Sequence, residues 1–410
     1  SFLSGLYPES TGVLNNTTDI RKSRPDSVSM PQQFKANGYW TASVGKVFHS
    51  IHQQHGEVAW HDQIMFQNDE LPLVARARQT YEAENGSVDL GANRKNWKAH
   101  LQKLSKQTRG QTPPGYGPTD LKDEQHKDGK NVRQIISWLE QKKYEDKPFF
   151  IACGIQKPHV PFLAPKQYFE MYPLEKLKFT KSPADDWKDI PTLAMVKRFK
   201  AFGFEMGTEN DSLRREYTQA YHACISYIDA QLGMLFDSLR EHDLWDNTII
   251  IFTSDHGYHL GEHFMWGKVT LFEECARVPL IVRAPGMTRN GTNTNALVEL
   301  LDLYPTLADL CGFKLEDSLQ GKSIVPILSN PKSSGKKYAY TVVSRGAKLG
   351  RSIRTNDWRY AEWGESALPE LYNLKDDPNE FSNLARKPSH DIQLEQMKQL
   401  LVEAQKAAGG

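Results

Sequence analysis

The chain has 410 residues, of which 39% are hydrophobic and 10% aromatic, enough to build a large core and to exclude a mainly disordered protein. It carries 51 Lys and Arg against 50 Asp and Glu, for a formal net charge of +1. Such a balance provides no global attraction for nucleic acid or for an anionic membrane. No apolar run approaches the roughly 18–20 residues of a membrane span, so none is predicted.

Two helix–strand pairs form the clearest pattern. The segment NVRQIISWLEQ (131–141) has helical apolar spacing and precedes KPFFIACGI (147–155), a continuous apolar run typical of a strand buried on both faces. Residues 215–243 form a long amphipathic helical pattern ahead of a second apolar run, NTIIIFT (247–253). The alternation predicts an α/β fold with a large, mostly parallel mixed sheet sandwiched by helices. Ligands of such sheets bind at the carboxyl ends of the strands.

The segments around these pairs differ in character. VPLIVRAPG (278–286) predicts a further strand, and residues 296–312 predict a helix that ends at Gly312. Residues 61–126 are polar and show little periodicity, so we expect a long surface excursion beside a substrate cleft.

The C-terminal part has its own pattern. SIVPILSNPKSSGKK (323–337) is rich in Pro, Ser, Gly and Lys, as linkers are. Short strand patterns follow it, and a helix is predicted from about residue 388. We therefore predict an α/β domain over residues 1–330 and a small antiparallel α+β subdomain over residues 331–410.

The second apolar run leads directly into Asp255 and His256. A carboxylate and a neutral imidazole at the end of a strand can ligate a divalent cation. The same DHG triplet is compatible with a loop in which Asp255 caps a turn and His256 has no role. Tyr258 and His263 follow closely and could line a substrate site, although a structural role suits His263 better.

Three further motifs carry cationic or titratable groups. In GKVFH, Lys46 and His49 could stabilise and protonate an oxyanion, but a surface lysine and a half-buried histidine fit as well. In KPHVPF, two prolines would fix the imidazole of His159, as they would in a plain rigid connector. WGK supplies Lys268, although most lysines are only solvated. Together with the DHG motif, these groups could surround a metal-bound anion, which points to hydrolysis of a sulfate or phosphate ester.

The combined motifs resemble one family. SDHGYHLGEH with WGK, GKVFH, KPHVPF, SYIDAQLG, ELLDLYPTL and ELYNLKDDPNE occur in the order found in type I, formylglycine-dependent sulfatases of the alkaline-phosphatase superfamily. The nearest group is the iduronate-2-sulfatases with their bacterial relatives, and the likeness runs over nearly the whole chain. DHG is shared with other metallohydrolases, whereas GKVFH together with KPHxPF is not.

The resemblance implies a calcium site, with Asp255 and His256 matching two of its ligands. It also implies that Lys46 and His49 lie near the nucleophile and the sulfate. His159 would lie near the leaving group, and Lys268 would contact the sulfate. The family nucleophile is a formylglycine made from Cys or Ser. Its hydrate attacks sulfur, and elimination of sulfate then restores the aldehyde.

The chain departs from the family pattern in two places. SFLSGLYPESTG (1–12) resembles the segment just after the C/S-x-P-S-R signature, so the formylglycine, the first strand and an Asp-Asp metal pair are expected upstream of Ser1. In addition, Leu6 stands where iduronate enzymes carry arginine, and Tyr258 replaces an aromatic residue of different shape. Iduronate specificity is therefore not carried over, and a sulfated, uronic-acid-containing carbohydrate is the predicted substrate class.

Three functions remain open at this point. The first is a calcium-dependent sulfatase that releases sulfate from a carbohydrate 2-O or neighbouring position. The second is a phosphomonoester or phosphonate hydrolase of the same superfamily, which two or more transition metals would favour. The third is a non-catalytic sulfated-glycan-binding protein. A polysaccharide substrate predicts a periplasmic or secreted protein.

Overall fold

The computed structural model describes residues 2–16, 18–48, 56–66, 72–88, 93, 96–97, 99–100, 103, 116–195, 211–287, 291–315, 318–364 and 368–409. The chain divides into two compact units. The large unit contains Ser1–Asn37, Thr180–Glu209 and Asp246–Gly410, and the small unit contains Gly38–Phe179 and Asn210–Trp245. The domain boundary predicted near residue 330 falls inside the large unit and stays a prediction.

The strands and α-helices are numbered in chain order. The strands are β1 Trp40–Gly45, β2 Asp62–Ile64, β3 Tyr116–Thr119, β4 Phe149–Gly154, β5 Phe162–Pro165, β6 Ile250–Thr253, β7 His259–Leu260, β8 Trp266–Gly267, β9 Leu280–Arg283, β10 Ala339–Arg345, β11 Lys348–Arg354, β12 Trp358–Trp363 and β13 Glu370–Asn373. The helices are α1 Pro8–Thr11, α2 Ile20–Ser23, α3 Met30–Ala36, α4 Gly56–Ala59, α5 Pro72–Asn85, α6 Lys127–Glu140, α7 Lys166–Glu170, α8 Asp211–Glu241, α9 Glu273–Ala276, α10 Leu303–Leu310, α11 Val325–Ser329 and α12 Asp391–Ala407.

The small unit is built on a parallel sheet with the strand order β2-β1-β4. The apolar run at 147–155 forms β4, as predicted, and its register places Trp40 opposite Phe149 and Gly45 opposite Gly154. Helix α6 contacts β1 and β4. Because the two strands are parallel and end together, Lys46 after β1 and the KPHVPF loop after β4 follow the same edge of the sheet.

The long helix predicted at 215–243 is confirmed as α8. It contacts α6, β3 and β5, and these two strands also pair in parallel. The side chains of Tyr217, Ala220, Cys224 and Tyr227 are buried along one side of α8. Their spacing of three and four residues is that of an apolar helical stripe, which is why the sequence pattern predicts this helix correctly.

The polar segment 61–126 contains more regular structure than its sequence predicts. It includes β2, the helix α5 and β3 among its described residues. In α5, PLVARARQTYEAEN, the only large apolar residues are Leu73, Val74 and Tyr81, too few to mark a helical face clearly. Good helix formers such as Ala, Arg, Gln and Glu support this helix instead, and periodicity does not detect them.

The large unit contains a different set of sheets. Strands β6 and β9, both predicted, pair antiparallel, and β7 and β8 form a short hairpin. The C-terminal strands form an antiparallel sheet in the order β10-β11-β12-β13. Helix α12 contacts β11 and β12, and the predicted antiparallel α+β arrangement is confirmed.

Buried side chains hold α12 to this sheet. Met397, Leu401 and Ala404 of the helix share a core with Ile353 and Leu371 of the strands. The helical residues recur every three or four positions, so one face of α12 supplies the whole contact.

The mixed α/β fold with a parallel sheet and a C-terminal antiparallel sheet agrees with the prediction. Within the part of the chain that the structure describes, no helix has the length and apolarity needed to cross a membrane.

Two glycines allow β1 and β4 to approach closely where they end. A Cβ added to Gly154 would lie 2.4 Å from the carbonyl carbon of Lys46, and one added to Gly45 would lie 2.1 Å from the Gly154 oxygen. Gly45 also has a positive φ of 72°, which other residues rarely adopt. The end of this sheet therefore excludes side chains at both positions.

We expect Gly154→Ala to lower the free energy of unfolding by about 2 kcal/mol or more, because backbone atoms must move to accept the new Cβ. Chemical denaturation measures the change. Gly233→Ala is the matched control, since Gly233 lies inside α8 with nothing within 4 Å of an added Cβ. It should raise the stability by about 0.5–1 kcal/mol through helix propensity. Equal effects of the two substitutions would contradict the packing argument.

Candidate functional site

In the large unit, the end of β6 delivers Asp255 and His256 to the surface. Asp255 Oδ1 lies 3.5 Å from His256 Nε2, and the two side chains are 62% and 34% exposed. The next residue is Gly257. Only glycine fits there, because a Cβ at this position would lie 2.0 Å from the carbonyl oxygen of Glu274 in α9. The Gly257 N–H donates to the carbonyl of Cys275 at 2.9 Å, which ties the turn to the same helix.

The hydrogen bonds of His256 assign its two ring nitrogens. Nδ1 lies 2.8 Å from the carbonyl oxygen of Gly257, which can only accept, so Nδ1 carries the hydrogen. Nε2 then holds the lone pair, and the Lys268 ammonium donates to it at 2.9 Å. The structure therefore brings together three of the predicted residues, Asp255, His256 and Lys268. With the Nδ1 hydrogen bound to a carbonyl, Nε2 is the nitrogen through which the ring can ligate a metal.

The loop between His256 and Lys268 has an unusual backbone. Positive φ angles occur at His263, Phe264 and Val269 as well as at Gly261 and Gly267. Non-glycine residues rarely adopt this region, and they persist there only when surrounding contacts hold them. The conformation of the loop is therefore determined by the packing around it.

His263 supplies much of that packing. Its side chain is fully buried, so its position favours the structural role over contact with substrate. Its N–H donates to Ser182 Oγ at 2.8 Å, its Nδ1 lies 3.0 Å from Asp186 Oδ2, and its ring stacks on Phe272 at 4.2 Å. Burial opposes protonation of His263, but the hydrogen bond and charge of Asp186 outweigh it and raise the pKa. Tyr258, the other predicted substrate-binding residue, is half-buried.

The C-terminal sheet holds the far end of the loop. The Arg345 guanidinium donates to the carbonyl of Val269 at 2.8 Å and lies 4.7 Å above the ring of Trp363. Arg359 donates to the carbonyl of Leu271 at 2.9 Å and is paired with Glu273. Sequence patterns do not single out either arginine, because the main-chain carbonyls and side chains that they contact are distant in sequence.

In the small unit, Lys46 and His159 follow β1 and β4. The Lys46 N–H donates to the Gly154 carbonyl at 3.1 Å. His159 Nδ1 lies 2.8 Å from the Val160 carbonyl oxygen, which can only accept, so Nδ1 carries a hydrogen. His49, predicted beside Lys46, lies outside the described residues.

Asp255 and His256 fit a divalent cation as two members of a larger ligand set. Donor atoms 3.5 Å apart can both lie about 2.4 Å from one ion, the usual distance for calcium. Calcium takes about six to eight ligands. Among the residues that the structure describes, no group of three or more His, Cys, Asp or Glu side chains is arranged to hold a metal.

Comparison with known proteins identifies the family. A family model described as Sulfatase matches residues 1–313, and one described as N-sulphoglucosamine sulphohydrolase, C-terminal, matches residues 261–407. The chain belongs to the sulfatase family. A protein named sulfatase from Formosa agariphila is 30% identical over 98% of this chain and 75% of its own length. The predictions of family and of a sulfuric ester hydrolase are confirmed.

Two further proteins resemble this sulfatase. The iduronate 2-sulfatase of Mus musculus is 28% identical, over 95% of this chain and 82% of the mouse protein. A structure solved with its substrate, D-glucosamine-2-N,6-O-disulfate, has a TM-score of 0.72 and 20% identity, over 100% of this chain and 87% of that protein. At this identity the structural likeness concerns the fold alone.

The packing below the site loop leads to a prediction about pH. Burial, with repulsion from Glu380, raises the pKa of Glu274 to about 7 from 4.5. A carboxyl group with a raised pKa contributes stability that is fully present below its unfolded pKa and lost as pH rises through its folded pKa. Between pH 4.5 and 7, this one group should reduce the free energy of unfolding by about 1.4 kcal/mol per pH unit.

We therefore expect Glu274→Gln to flatten the decline of stability between pH 4.5 and 7. Urea denaturation of both proteins at several pH values measures the slope. Glu84→Gln, at an exposed position of α5, controls for the loss of one surface carboxylate. An unchanged slope in Glu274→Gln would show that Glu274 does not retain a proton in the folded state.

Proposed function

We propose that this sulfatase hydrolyses sulfate esters of an oligosaccharide or polysaccharide that contains sulfated uronic acid. The similarity to an iduronate 2-sulfatase supports this substrate class. The observation that carries the proposal is the contact of the Lys268 ammonium with His256 Nε2, beside the Asp255 carboxylate. One loop thus presents a cation and two metal-binding side chains. Periplasmic or secreted localisation stays a prediction.

In this proposal Lys268 binds the sulfuryl oxygens. The ammonium now donates to His256 Nε2, and its displacement from that nitrogen would direct its positive charge to an anion beside the loop. Lys46 has the corresponding role near the nucleophile, and His49 is its predicted partner. Both assignments rest on the family motif, and both side chains supply the positive charge or hydrogen bonds that a sulfuryl group accepts.

His159 is proposed to protonate the leaving group. Its Nδ1 hydrogen points to the Val160 carbonyl, so Nε2 carries the proton that is donated when the ring is protonated. An alkoxide is a poor leaving group, and a proton delivered to the ester oxygen removes its developing charge. The histidine then retains its position through the same main-chain contact.

Calcium and formylglycine belong to the proposal as the groups that the family resemblance implies. Asp255 and His256 are the described residues that would hold calcium, which when bound supplies positive charge beside the sulfuryl oxygens. Since the Lys268 ammonium donates to the same Nε2 lone pair at 2.9 Å, binding of a cation by His256 would displace Lys268 from that nitrogen.

Product analysis with the full-length protein distinguishes the three functions. Sulfated disaccharides that carry one sulfate, either on uronic acid O2 or on glucosamine O6, are compared with the matching phosphate esters and with a phenylphosphonate ester. Faster release of sulfate, detected by ion chromatography, supports the proposal. Faster release of phosphate or phosphonate would establish the second function, and binding of the sulfated sugars without any release would establish the third.

On the best sulfated substrate, we expect Lys268→Ala to lower kcat roughly 100-fold or more, because one charged donor to the developing negative charge is lost. Lys348→Ala is the control, since Lys348 is an exposed lysine of the same unit. Thermal unfolding checks that both variants fold. Near-normal turnover by Lys268→Ala would remove this lysine from the proposed site.

We expect His256→Ala to weaken calcium binding roughly tenfold or more, about 1.4 kcal/mol, because one donor atom is removed. Titration calorimetry of metal-free protein measures the affinity, and elemental analysis measures the bound metal. His242→Ala is the control. It also removes one imidazole, but His242 lies in the other unit, where its ring contacts the Ser238 carbonyl at the end of α8. Unchanged calcium affinity in His256→Ala would exclude His256 as a ligand.

A further inference from the structure

A buried carboxylate in the small unit holds the loop that carries His159. Asp128 lies in the first turn of α6 and is 1% exposed. Its Oδ1 accepts the N–H of Gln156 at 2.9 Å, and its Oδ2 accepts the N–H of Lys157 at 2.8 Å. Both oxygens of one carboxylate therefore bind consecutive main-chain donors, a geometry that a neutral or differently shaped side chain does not reproduce.

The Gln156 residue transmits this contact to His159. The carbonyl of Gln156 accepts the N–H of His159 at 2.9 Å. Its side-chain oxygen accepts from Lys127 Nζ at 3.0 Å, so the residue is also fixed from the helix. The carboxylate of Asp128 thus reaches the backbone of His159 through two hydrogen bonds. They meet at the peptide unit between Gln156 and Lys157, whose N–H donates to Asp128 and whose carbonyl accepts from His159.

The other side of the loop is closed by Lys157. This lysine is 5% exposed, and its ammonium donates to the carbonyl of Pro161 at 2.7 Å. The loop from 157 to 161 is therefore bridged across its base, with His159 at its middle. Since the N–H of Lys157 is bound to Asp128, the same carboxylate fixes the residue that makes the bridge.

Asn131, one turn further along α6, connects this arrangement to the strands. Its side-chain amide donates to the Gly154 carbonyl at 3.2 Å and to Asp128 Oδ1 at 3.3 Å. The Gly154 carbonyl is also the acceptor for the N–H of Lys46. The helix therefore binds the end of β4 at the same carbonyl that joins β4 to the residue after β1.

We propose that Asp128 is a positioning residue, which acts through the loop 156–161 to hold the imidazole of His159 in the orientation needed for proton donation. This inference rests on the proposed role of His159. It differs from a simple helix-capping role in its consequence: a cap contributes stability, whereas a positioning residue changes the rate of the step that its partner performs. A displacement of about 1 Å at a reacting group can cost roughly 100-fold in rate.

A double-mutant cycle tests the coupling. In Asp128→Asn, the amide nitrogen would face a main-chain donor in place of an acceptor oxygen, so the loop must shift. We expect kcat to fall roughly 10- to 100-fold with KM nearly unchanged. In a His159→Ala background the same substitution should cost less than about threefold, because residues that act through one another are not additive.

Leaving-group dependence provides a second readout that stability does not affect. An aryl sulfate with an acidic phenol needs little protonation on departure, so both His159→Ala and Asp128→Asn should lose less activity on it than on a sugar sulfate. Asp123→Asn is the matched control. Asp123 accepts hydrogen bonds from Tyr168 at 2.6 Å and Gln231 at 2.7 Å in the same unit, and its partners lie outside the loop.

The outcomes separate the inference from the function on which it rests. A wild-type protein that releases no sulfate overturns both. Active wild type with additive effects of Asp128→Asn and His159→Ala, or equal losses on both substrates, overturns the positioning role alone. If Asp128→Asn does not fold, Asp128→Ser, which places no amide donor against the main-chain N–H groups, enters the same cycle and the same criteria apply to it.

Discussion

The small unit depends on the close approach of two backbones at the carboxyl end of its parallel sheet. With Gly45 and Gly154 opposite each other, β1 and β4 remain paired to their last residues, where a Cβ at either position would collide with main-chain atoms. This proximity leaves the Gly154 carbonyl available to both Lys46 and Asn131. Two successive turns of α6 can therefore bind the end of the sheet, through Asn131, and the following loop, through Asp128, which gives the loop a defined structure.

The large unit holds its loop in a different way. Several residues between Gly261 and Val269 have left-handed backbone angles, an arrangement that local preference disfavours. Polar contacts offset this cost: the buried pair of His263 with Asp186, the buried Arg359 with Glu273 and Glu380, and the exposed hydrogen bond from Arg345 to the Val269 carbonyl. A buried charge without its partner costs free energy. Loop conformations that separate these ion pairs are therefore disfavoured, and the pairs restrict the geometry of the loop. The conformation of the loop therefore depends on its contacts with the C-terminal sheet.

The elements that could be predicted from the sequence are those whose apolar residues are continuous or recur at a regular spacing. Helices α6 and α8 and strands β4 and β6 have continuous or regularly spaced apolar residues, and their sequences identify them. The helix α5 does not, because large apolar residues are too few in its sequence to show a helical period. The short strands β7 and β8 have only two residues each, too few for alternation to appear. Their pairing follows from the left-handed turn between them.

The sequence by itself determined the chemistry available: DHG after an apolar strand, lysines and histidines in a set of motifs that resembles the sulfatases, and a helix–strand order typical of α/β proteins. Only the tertiary structure decided which of these groups meet. It placed the Lys268 ammonium on His256 Nε2, buried His263 beside Asp186, and set Asp128 beneath the loop of His159. The physical reason is that hydrogen-bond partners 12 to 77 residues apart are chosen by packing, which leaves no periodic trace in the sequence.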